Sequence, residues 1–516
     1  MSLAARCGVH GPARAAACAV VLARVHELGI GQVRVAWADL HGTLRGKTLV
    51  CGDGAPAATL ADAFDEGIGM VSTVLLKDTA DRTAFQVFEP GALAGLAGFG
   101  AANNLLLLPD PASFTVLPWA PATAWLRAEP FWPDASPLLA DPRRVLQQAL
   151  ARLHEAGLGL RCGLEVEFHI YRITDDRLLP EDAAWPGEPP AVRLIHPGYQ
   201  LLSEAWADLA DEPLAIVRRT ALGLGLPLRS LEIELGPSQV EAVFDVTDAL
   251  SAADQMVLFR GATRQALRRA GYHATFVSKP PLPHAVASGW HLHQSLVDGE
   301  GRNAMLREQA AGAAGDARQV LSDQGAHWLA GLLEHAAGMT ALCAPTVPAY
   351  SRFQGSVMAP QAAVWGRDNR GALLRVLGAP GDPATRIENR LGEPLANPYL
   401  LIAAQVLAGL DGLQRQLTPP LGSAAPYADI SADISADRSA DISADISTDI
   451  STCAVPALPA TLALALDALA ADAVLQQGLG PSLARIFSAV KQQEWARHVA
   501  AEDPALWERR EYFARY

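Results

Sequence analysis

The sequence predicts an α+β protein with a large, mainly antiparallel sheet. Two observations support this class. Short stretches with strand periodicity alternate with helical stretches from residue 160 onward. In addition, half of the 516 residues are hydrophobic, which is enough for a large core or for two domains of unequal size. The predicted strands of this region are 163–171, 230–235, 239–244, 273–277, 290–296, 373–377 and 386–391, and the predicted helices are 143–156, 249–270 and 324–343.

The N-terminal part of the chain predicts a smaller unit. A surface helix over 14–28 ends near Gly29. Val33, Val35 and Trp37 then alternate with Arg34 and Ala36, and the turn at 39–42 allows 44–50 to return as the second strand of a hairpin. We therefore expect a helical extension over 1–29, a small α+β domain over 30–127 and a second domain over 128–516.

Composition excludes several classes of partner. The net charge of -14 and the pI of about 5.4 disfavour nucleic acid and anionic lipid. The apolar stretch of 15–23 is short and is followed by Arg24, so neither a signal peptide nor a membrane helix is predicted. The six cysteines form no CxxC pair, which disfavours a disulfide framework and a zinc site. We expect a soluble, cytoplasmic protein with reduced cysteines.

A low-complexity insertion over 423–453 contains a repeated Ala-Asp-Ile-Ser tetrad at 428–451. A period of four with one apolar residue per tetrad buries too little surface to offset the ordering entropy. We expect a surface loop without a catalytic role. A calcium-binding repeat is the alternative, but the carboxylates are sparse and no glycine-bounded loop is present.

Acidic residues occur in two strand segments. Glu165 and Glu167 are two residues apart, so a strand places both carboxylates on one face, where a cation between them would relieve their repulsion. The turn at 236–237 brings Glu234 and Glu241 together across a second hairpin. The alternative for both segments is a solvated acidic face.

Histidines and arginines add further candidates on short strands. His291 and His293 share a strand face, and Gly289 before them allows close backbone approach. A lone histidine is more often a satisfied core or surface residue, but two at this spacing favour a site. The remaining candidates are Arg352, Arg370, Arg375, Arg386, Glu388 and Arg390.

Oxygen ligands with one imidazole favour magnesium or manganese over zinc or iron. Arginine forks match carboxylate and phosphate oxygens, so a metal beside an arginine set suggests nucleotide phosphates and phosphoryl transfer. The sequence contains no GxxxxGK[ST] motif, which excludes a P-loop as the phosphate-binding element.

Six sequence blocks in this order resemble the glutamine synthetase superfamily, and most closely its γ-glutamylpolyamine synthetases and related amine ligases. The resemblance covers residues 30–422 and 455–516. The blocks are ExE at 165–167, ExGPxQxE at 234–241, SGWHLHQSL at 288–296, WGRDNR at 365–370, RIENR at 386–390 and NPYL at 397–400.

This resemblance implies an N-terminal β-grasp domain, a catalytic domain with a curved antiparallel sheet flanked by helices, and a homododecamer of two hexameric rings. It implies ATP and two to three Mg²⁺ or Mn²⁺ ions. The implied ligands are Glu167, Glu234 and Glu241 for the first ion and Glu165, His291 and Glu388 for the second, which lies on ATP. The implied substrate and nucleotide contacts are Arg352, Arg390 and Gly289 for glutamate, Arg370 for the phosphoryl group in transit, and His293, Ser295, Arg375 and Arg386 for ATP.

The implied reaction activates the γ-carboxylate of glutamate as γ-glutamyl phosphate, which an amine then converts to an amide. Three positions depart from the ammonia-using enzymes. Met358 replaces a glutamate that helps bind ammonium, Val286 stands near an expected asparagine, and the catalytic base has no firm counterpart, with Asp65 as the candidate. Met358 favours a polyamine or another primary amine as acceptor. The alternatives are a true glutamine synthetase using ammonia and a catalytically silent regulatory or structural relative.

Overall fold

The strands lie in two separate sheets in the computed structural model, which describes residues 1–52, 59–89, 91–96, 98–353, 359–423 and 456–516. Met358 lies outside the described residues, and so does the predicted insertion apart from Ser423. Antiparallel pairing dominates both sheets, and helices separate the strands along the chain. This is the predicted α+β class.

The first sheet has the strand order β2-β1-β6-β4-β3, with β5 paired to β6. The predicted hairpin is present, because β1 and β2 are antiparallel and the turn between them places Gly42 at φ 69°. Parallel pairing of β1 with β6 closes this unit. Its strands are β1 Gln32–Ala38, β2 Leu44–Val50, β3 Ile68–Val71, β4 Asn104–Pro109, β5 Thr115–Val116 and β6 Thr123–Phe131, and its helices are α1 Leu3–Arg6, α2 Pro12–Glu27 and α3 Thr59–Glu66.

The second sheet has the order β13-β14-β15-β12-β7-β10-β9, with β8 and β11 paired to β7. Each predicted strand of this region is present within a few residues. The long central strand β7 has buried apolar residues on one face and glutamates on the other. The strands are β7 Leu158–Asp175, β8 Ala191–Leu194, β9 Leu228–Ile233, β10 Gln239–Asp248, β11 Tyr272–Thr275, β12 Trp290–Asp298, β13 Trp365–Arg367, β14 Leu374–Leu377 and β15 Arg386–Gly392.

Helices cover the second sheet and surround α11, which is almost entirely buried. Asp141 caps α4 by accepting hydrogen bonds from the N–H groups of Arg143 and Arg144, as its position before Pro142 predicts. The helices are α4 Pro142–Glu155, α5 Glu204–Leu209, α6 Asp211–Gly223, α7 Ala249–Arg269, α8 Asp323–Glu334, α9 Ala336–Cys343, α10 Ala349–Arg352, α11 Pro398–Arg415, α12 Leu462–Ala471, α13 Ala473–Leu479, α14 Pro481–Val499 and α15 Pro504–Glu508.

The single helix predicted over 324–343 is wrong, because the chain breaks between α8 and α9 at His335. The φ and ψ of this residue are -95° and 7°. Its Nδ1 lies 2.7 Å from Asp472 Oδ2 and its Nε2 lies 3.0 Å from Asp411 Oδ2. Burial opposes the charged imidazolium, but the hydrogen bonds to Asp472 and Asp411 outweigh burial and raise the pKa of His335.

We expect His335→Gln to reduce the free energy of unfolding by about 2 kcal/mol near pH 6. Because the pKa of His335 is raised in the folded state, its contribution is complete below the unfolded pKa of about 6.5 and is lost as pH rises through the folded value. Urea unfolding of both proteins from pH 6 to pH 9 measures this difference. A difference that grows with pH would contradict the charged pairing.

Within the described ranges, no single helix is long and apolar enough to cross a membrane. The pair α12 and α13 meets the criteria of length and composition together, but it is bent by 88°.

One buried arginine joins the two sheet units. The guanidinium of Arg260 on α7 donates to the carbonyl oxygens of Pro394 and Ala396, each at 3.0 Å. It also donates to the carbonyl oxygens of His41 at 3.1 Å and Gly42 at 2.9 Å, in the turn between β1 and β2. Arg260 therefore holds the N-terminal hairpin against the segment that follows β15.

Candidate active site

The strand order of the second sheet collects the predicted acidic and histidine residues on one face. Glu165 on β7 lies opposite His291 on β12, and Glu167 lies opposite Glu241 on β10. On the far side of β12, His293 lies opposite Glu388 of β15. Because side chains alternate along a strand, these residues all project from the same face.

Two overlapping groups of possible ligand atoms share Glu165. Ligand atoms of Glu165, Glu241 and His291 lie within 4.8 Å of one another, and so do those of Glu165, His293 and Glu388. These groups do not reproduce the division into two ligand sets that the resemblance implies. Which residues bind which ion therefore stays a prediction.

Burial and mutual repulsion raise the pKa of Glu241 to about 9, with Glu167 as the strongest of the neighbouring charges. Burial and Glu234 likewise raise the pKa of Glu167 to about 7. Burial and the nearby Arg390 lower the pKa of His291 to about 4, so this imidazole is neutral and free to coordinate near pH 7. Clustered carboxylates beside a neutral imidazole fit a hard divalent cation, which would relieve their repulsion.

Glu388 is fully buried and links this cluster to the arginines. Its carboxylate accepts hydrogen bonds from Arg390 Nη1 at 2.5 Å and from Arg375 Nη1 at 3.0 Å. Burial opposes its ionisation, but the surrounding positive charge outweighs burial and holds the pKa of Glu388 at about 2. Arg375 is held in place on its other side by Asp368.

Gly289 lies between the acidic cluster and Arg352. Its N–H donates to Glu167 Oε2 at 2.9 Å. A Cβ atom at this position would lie 2.7 Å from Arg352 Nη2 and 3.0 Å from His291 Nε2. Arg352 cannot move away easily, because its guanidinium donates to the carbonyl oxygens of residues 390, 391 and 392. There is therefore no room for a side chain larger than that of glycine at this position.

Gln239 is a positioning residue that sequence reasoning did not single out. Its Nε2 lies 3.1 Å from Glu167 Oε2 and 3.0 Å from Ser288 Oγ, and its Oε1 accepts from the N–H of Gly236 at 2.8 Å. It thus joins the turn that carries Glu234 to the strand that carries Glu167. The signal was its place inside the ExGPxQxE block, on the same strand face as Glu241.

A cavity of about 720 Å³ adjoins the cluster and is lined by Glu165, His293, Ser295 and Arg386. The predicted nucleotide contacts His293, Ser295 and Arg386 therefore meet in one place, while Arg375 is not part of its lining. His293 Nδ1 accepts a hydrogen bond from Arg386 Nε at 3.1 Å, and its Nε2 lies 3.0 Å from Glu165 Oε1. The cavity volume suits a ligand of nucleotide size.

Two predicted residues belong neither to the groups of possible ligand atoms nor to the lining of this cavity. Asp65 is exposed on α3, near Cys18 of α2. Arg370 is exposed in the turn between β13 and β14. Their catalytic roles stay predictions.

Comparison with known proteins decides the family. The model of the glutamine synthetase catalytic domain matches residues 139–512. The chain belongs to the glutamine synthetase family. It is an ATP-dependent carbon–nitrogen ligase of that family, whose members use ATP and divalent metal ions.

Relatives of this ligase match along most of its length. A γ-glutamylanilide synthase from Acinetobacter sp is 36% identical over 510 residues, which cover 96% of this chain and 95% of that protein. A γ-glutamylethanolamide synthetase from Streptomyces coelicolor is 33% identical over 395 residues, covering 76% of this chain and 78% of that protein. A solved structure described as a GmaS/ADP complex superposes with a TM-score of 0.70 at 28% identity and covers 95% of this chain and 98% of that one.

Proposed function

We propose that this ligase joins the γ-carboxylate of glutamate to a primary amine, with ATP as the phosphoryl donor and γ-glutamyl phosphate as the intermediate. One observation carries the proposal. Glu165 and His293, whose ligand atoms lie close to those of the buried Glu388, line the 720 Å³ cavity, and Glu388 pairs with Arg375 and Arg390. Ions held by this cluster would lie beside a space that suits a nucleotide.

Glu165, Glu241 and His291, with Glu167, Glu234 and Glu388 around them, would hold the divalent ions. When bound, these ions would neutralise phosphate charge and polarise the transferring group. Arg375 and Arg390 are fixed by Glu388 at the edge of the cluster, and we assign them to phosphate and glutamate oxygens respectively. Arg352 and the N–H of Gly289 position the side of the site nearest Glu167.

The acceptor amine reacts only through its nitrogen, so the reaction itself sets no limit on its carbon body. Glu234 is half-buried, and the neighbouring Leu235 and Tyr199 are exposed by 45% and 58%. The N–H of Tyr199 donates to the carbonyl oxygen of Leu235 at 2.7 Å, and Val286 packs against Gly236. This apolar rim beside a carboxylate favours an amine with a carbon body, in line with the anilide and ethanolamide named for the two relatives.

We further propose the domain division at about residues 30 and 128 and a homododecamer in which a neighbouring chain completes the acceptor site with Asp65. Analytical ultracentrifugation of the full chain tests the assembly. A monomeric, fully active protein would refute both the assembly and the role of a neighbouring Asp65.

A substrate panel tests the function. The purified protein is given ATP, Mn²⁺, glutamate and one of aniline, ethanolamine, putrescine or ammonia, and mass spectrometry follows the γ-glutamyl product alongside phosphate release. We expect an organic amine to exceed ammonia in kcat/KM and no product when aspartate replaces glutamate. Preference for ammonia would identify a true glutamine synthetase. No turnover together with no Mn²⁺ binding in the presence of ATP would identify a regulatory relative.

We expect Gly289→Ala to lower kcat/KM for glutamate about 100-fold, since displacing a positioned group by about 1 Å has an effect of this size. The added methyl group would displace either Arg352 or His291. Gly299→Ala is the matched control, because a Cβ there meets nothing within 4 Å, and its activity should stay within twofold of wild type. Equal activity of the two variants would contradict the close approach.

A further inference from the structure

A second large cavity lies away from the site described above. It has a volume of about 800 Å³ and shares no lining residue with the nucleotide cavity. Its walls come from the hairpin of the first sheet, from helix α7, and from the segment that connects β7 with β8. The carboxy-terminal part of the chain also contributes, through Ala514. Four segments that are distant in sequence therefore meet around it.

Helix α7 presents a row of arginines at four-residue spacing, Arg260, Arg264 and Arg268, which a helix places on one face. The guanidinium of Arg260 already donates hydrogen bonds to four backbone carbonyl groups. Arg264 and Arg268 line the cavity, and their guanidinium groups have no hydrogen bond or ion pair with any described residue. Gly261 leaves the wall beside them open, because the nearest neighbouring atom to a Cβ there is Leu44 Cδ1 at 3.4 Å.

The acidic residues of the segment between β7 and β8, which also lines the cavity, form no ion pair with Arg264 or Arg268. Asp182 lies 3.6 Å from Arg177, and Glu188 pairs with Arg510. Asp176 is exposed to solvent. Arg264 and Arg268 thus have no ion pair with a described carboxylate in this partly enclosed space, and the group whose negative charge stabilises the Arg264 cation is Tyr516.

Burial and the charge of Arg264 shift pKa values around this cavity. Burial lowers the pKa of Arg264 to about 10, although the negative charge of Tyr516 opposes this shift. Burial, followed by the charge of Arg264, also lowers the pKa of Arg260 to about 10. Burial, followed by the charge of Arg264, lowers the pKa of His273 to about 3. An anion beside Arg264 would offset the unfavourable burial of its charge.

We propose that this cavity binds a phosphorylated small molecule, whose phosphate oxygens are held by Arg264 and Arg268. Two guanidinium groups one helical turn apart suit neighbouring phosphate oxygens. The volume lies in the range of small-molecule sites. Leu178 and Leu179, exposed by 73% and 66% at the cavity wall, offer apolar surface to the organic part of the ligand. The site is separate from the ATP site and does not depend on the proposed acceptor.

Calorimetric titration of the full-length protein with sodium pyrophosphate in EDTA tests the proposal. Arg386→Gln weakens pyrophosphate binding in the nucleotide cavity but leaves Arg264 and Arg268 unchanged. One pyrophosphate per chain should therefore still bind. In that background, Arg264→Gln and Arg268→Gln should each weaken binding at least about tenfold. Arg264→Lys should retain most of the affinity because it keeps the charge, and Arg218→Gln, an exposed change on α6, should have less than a twofold effect.

Thermal unfolding gives a second readout, since pyrophosphate should raise the melting temperature of the Arg386→Gln protein but not of the protein that also carries Arg264→Gln. The proposal is overturned if pyrophosphate does not bind the Arg386→Gln protein. It is also overturned if the arginine substitutions leave the affinity unchanged, or if succinate binds as tightly as pyrophosphate, which would point to a carboxylate site.

Discussion

Glu388→Gln should reduce kcat for ATP-dependent amide formation about 10³-fold, the range observed when one preorganised electrostatic group is removed from an active site. The substitution keeps the shape of the side chain but removes the charge that orients Arg375 and Arg390. It also removes a carboxylate whose Oε1 lies 3.8 Å from His291 Nδ1. We therefore expect the substitution both to release the two arginines from their positions and to weaken metal binding.

The matched control is Asp368→Asn. Asp368 also pairs with Arg375, but its side chain is 68% exposed and it belongs to neither group of possible ligand atoms. We expect a loss of at most about tenfold, since an exposed ion pair contributes little. Melting curves establish that both variants are folded, and Mn²⁺ titration should show weaker binding only for Glu388→Gln. Retention of more than a tenth of wild-type activity by Glu388→Gln would refute its assigned role.

Arg260→Met should lower the free energy of unfolding by about 3 kcal/mol, because it leaves buried carbonyl groups of two segments without a donor. Those carbonyls belong to the turn between β1 and β2 and to the segment after β15. Part of the loss is offset, since the wild-type protein buries a guanidinium that burial itself destabilises, as its pKa of about 10 indicates.

Urea unfolding at one protein concentration measures this effect, with Arg219→Met as the control. Arg219 is exposed on α6, so its replacement should change stability by less than about 0.5 kcal/mol. Limited proteolysis should also cleave Arg260→Met faster in the turn at residues 39–42. Equal stability of the two variants would show that Arg260 does not join the sheet units.

Local patterns predicted most of the secondary structure. Alternation predicted that Glu165 and Glu167 share a face, and the strand β7 has that arrangement. The residue before Pro142 predicted the start of α4. The break at His335 was not predicted, because its cause is a pair of hydrogen bonds to residues 76 and 137 positions away along the chain. A short window of sequence contains no information about such partners.

The candidate site shows the same difference between what local sequence predicts and what long-range pairing decides. The sequence by itself determined which residue types were available, namely glutamates, histidines and arginines on short strands, and the family to which their order belongs. Only the tertiary structure decided that Glu165 faces His291, that Glu388 joins Arg375 to Arg390, and that Gly289 is required by the space beside Arg352. Strand order and register set these distances, and both depend on pairing between segments far apart in the chain.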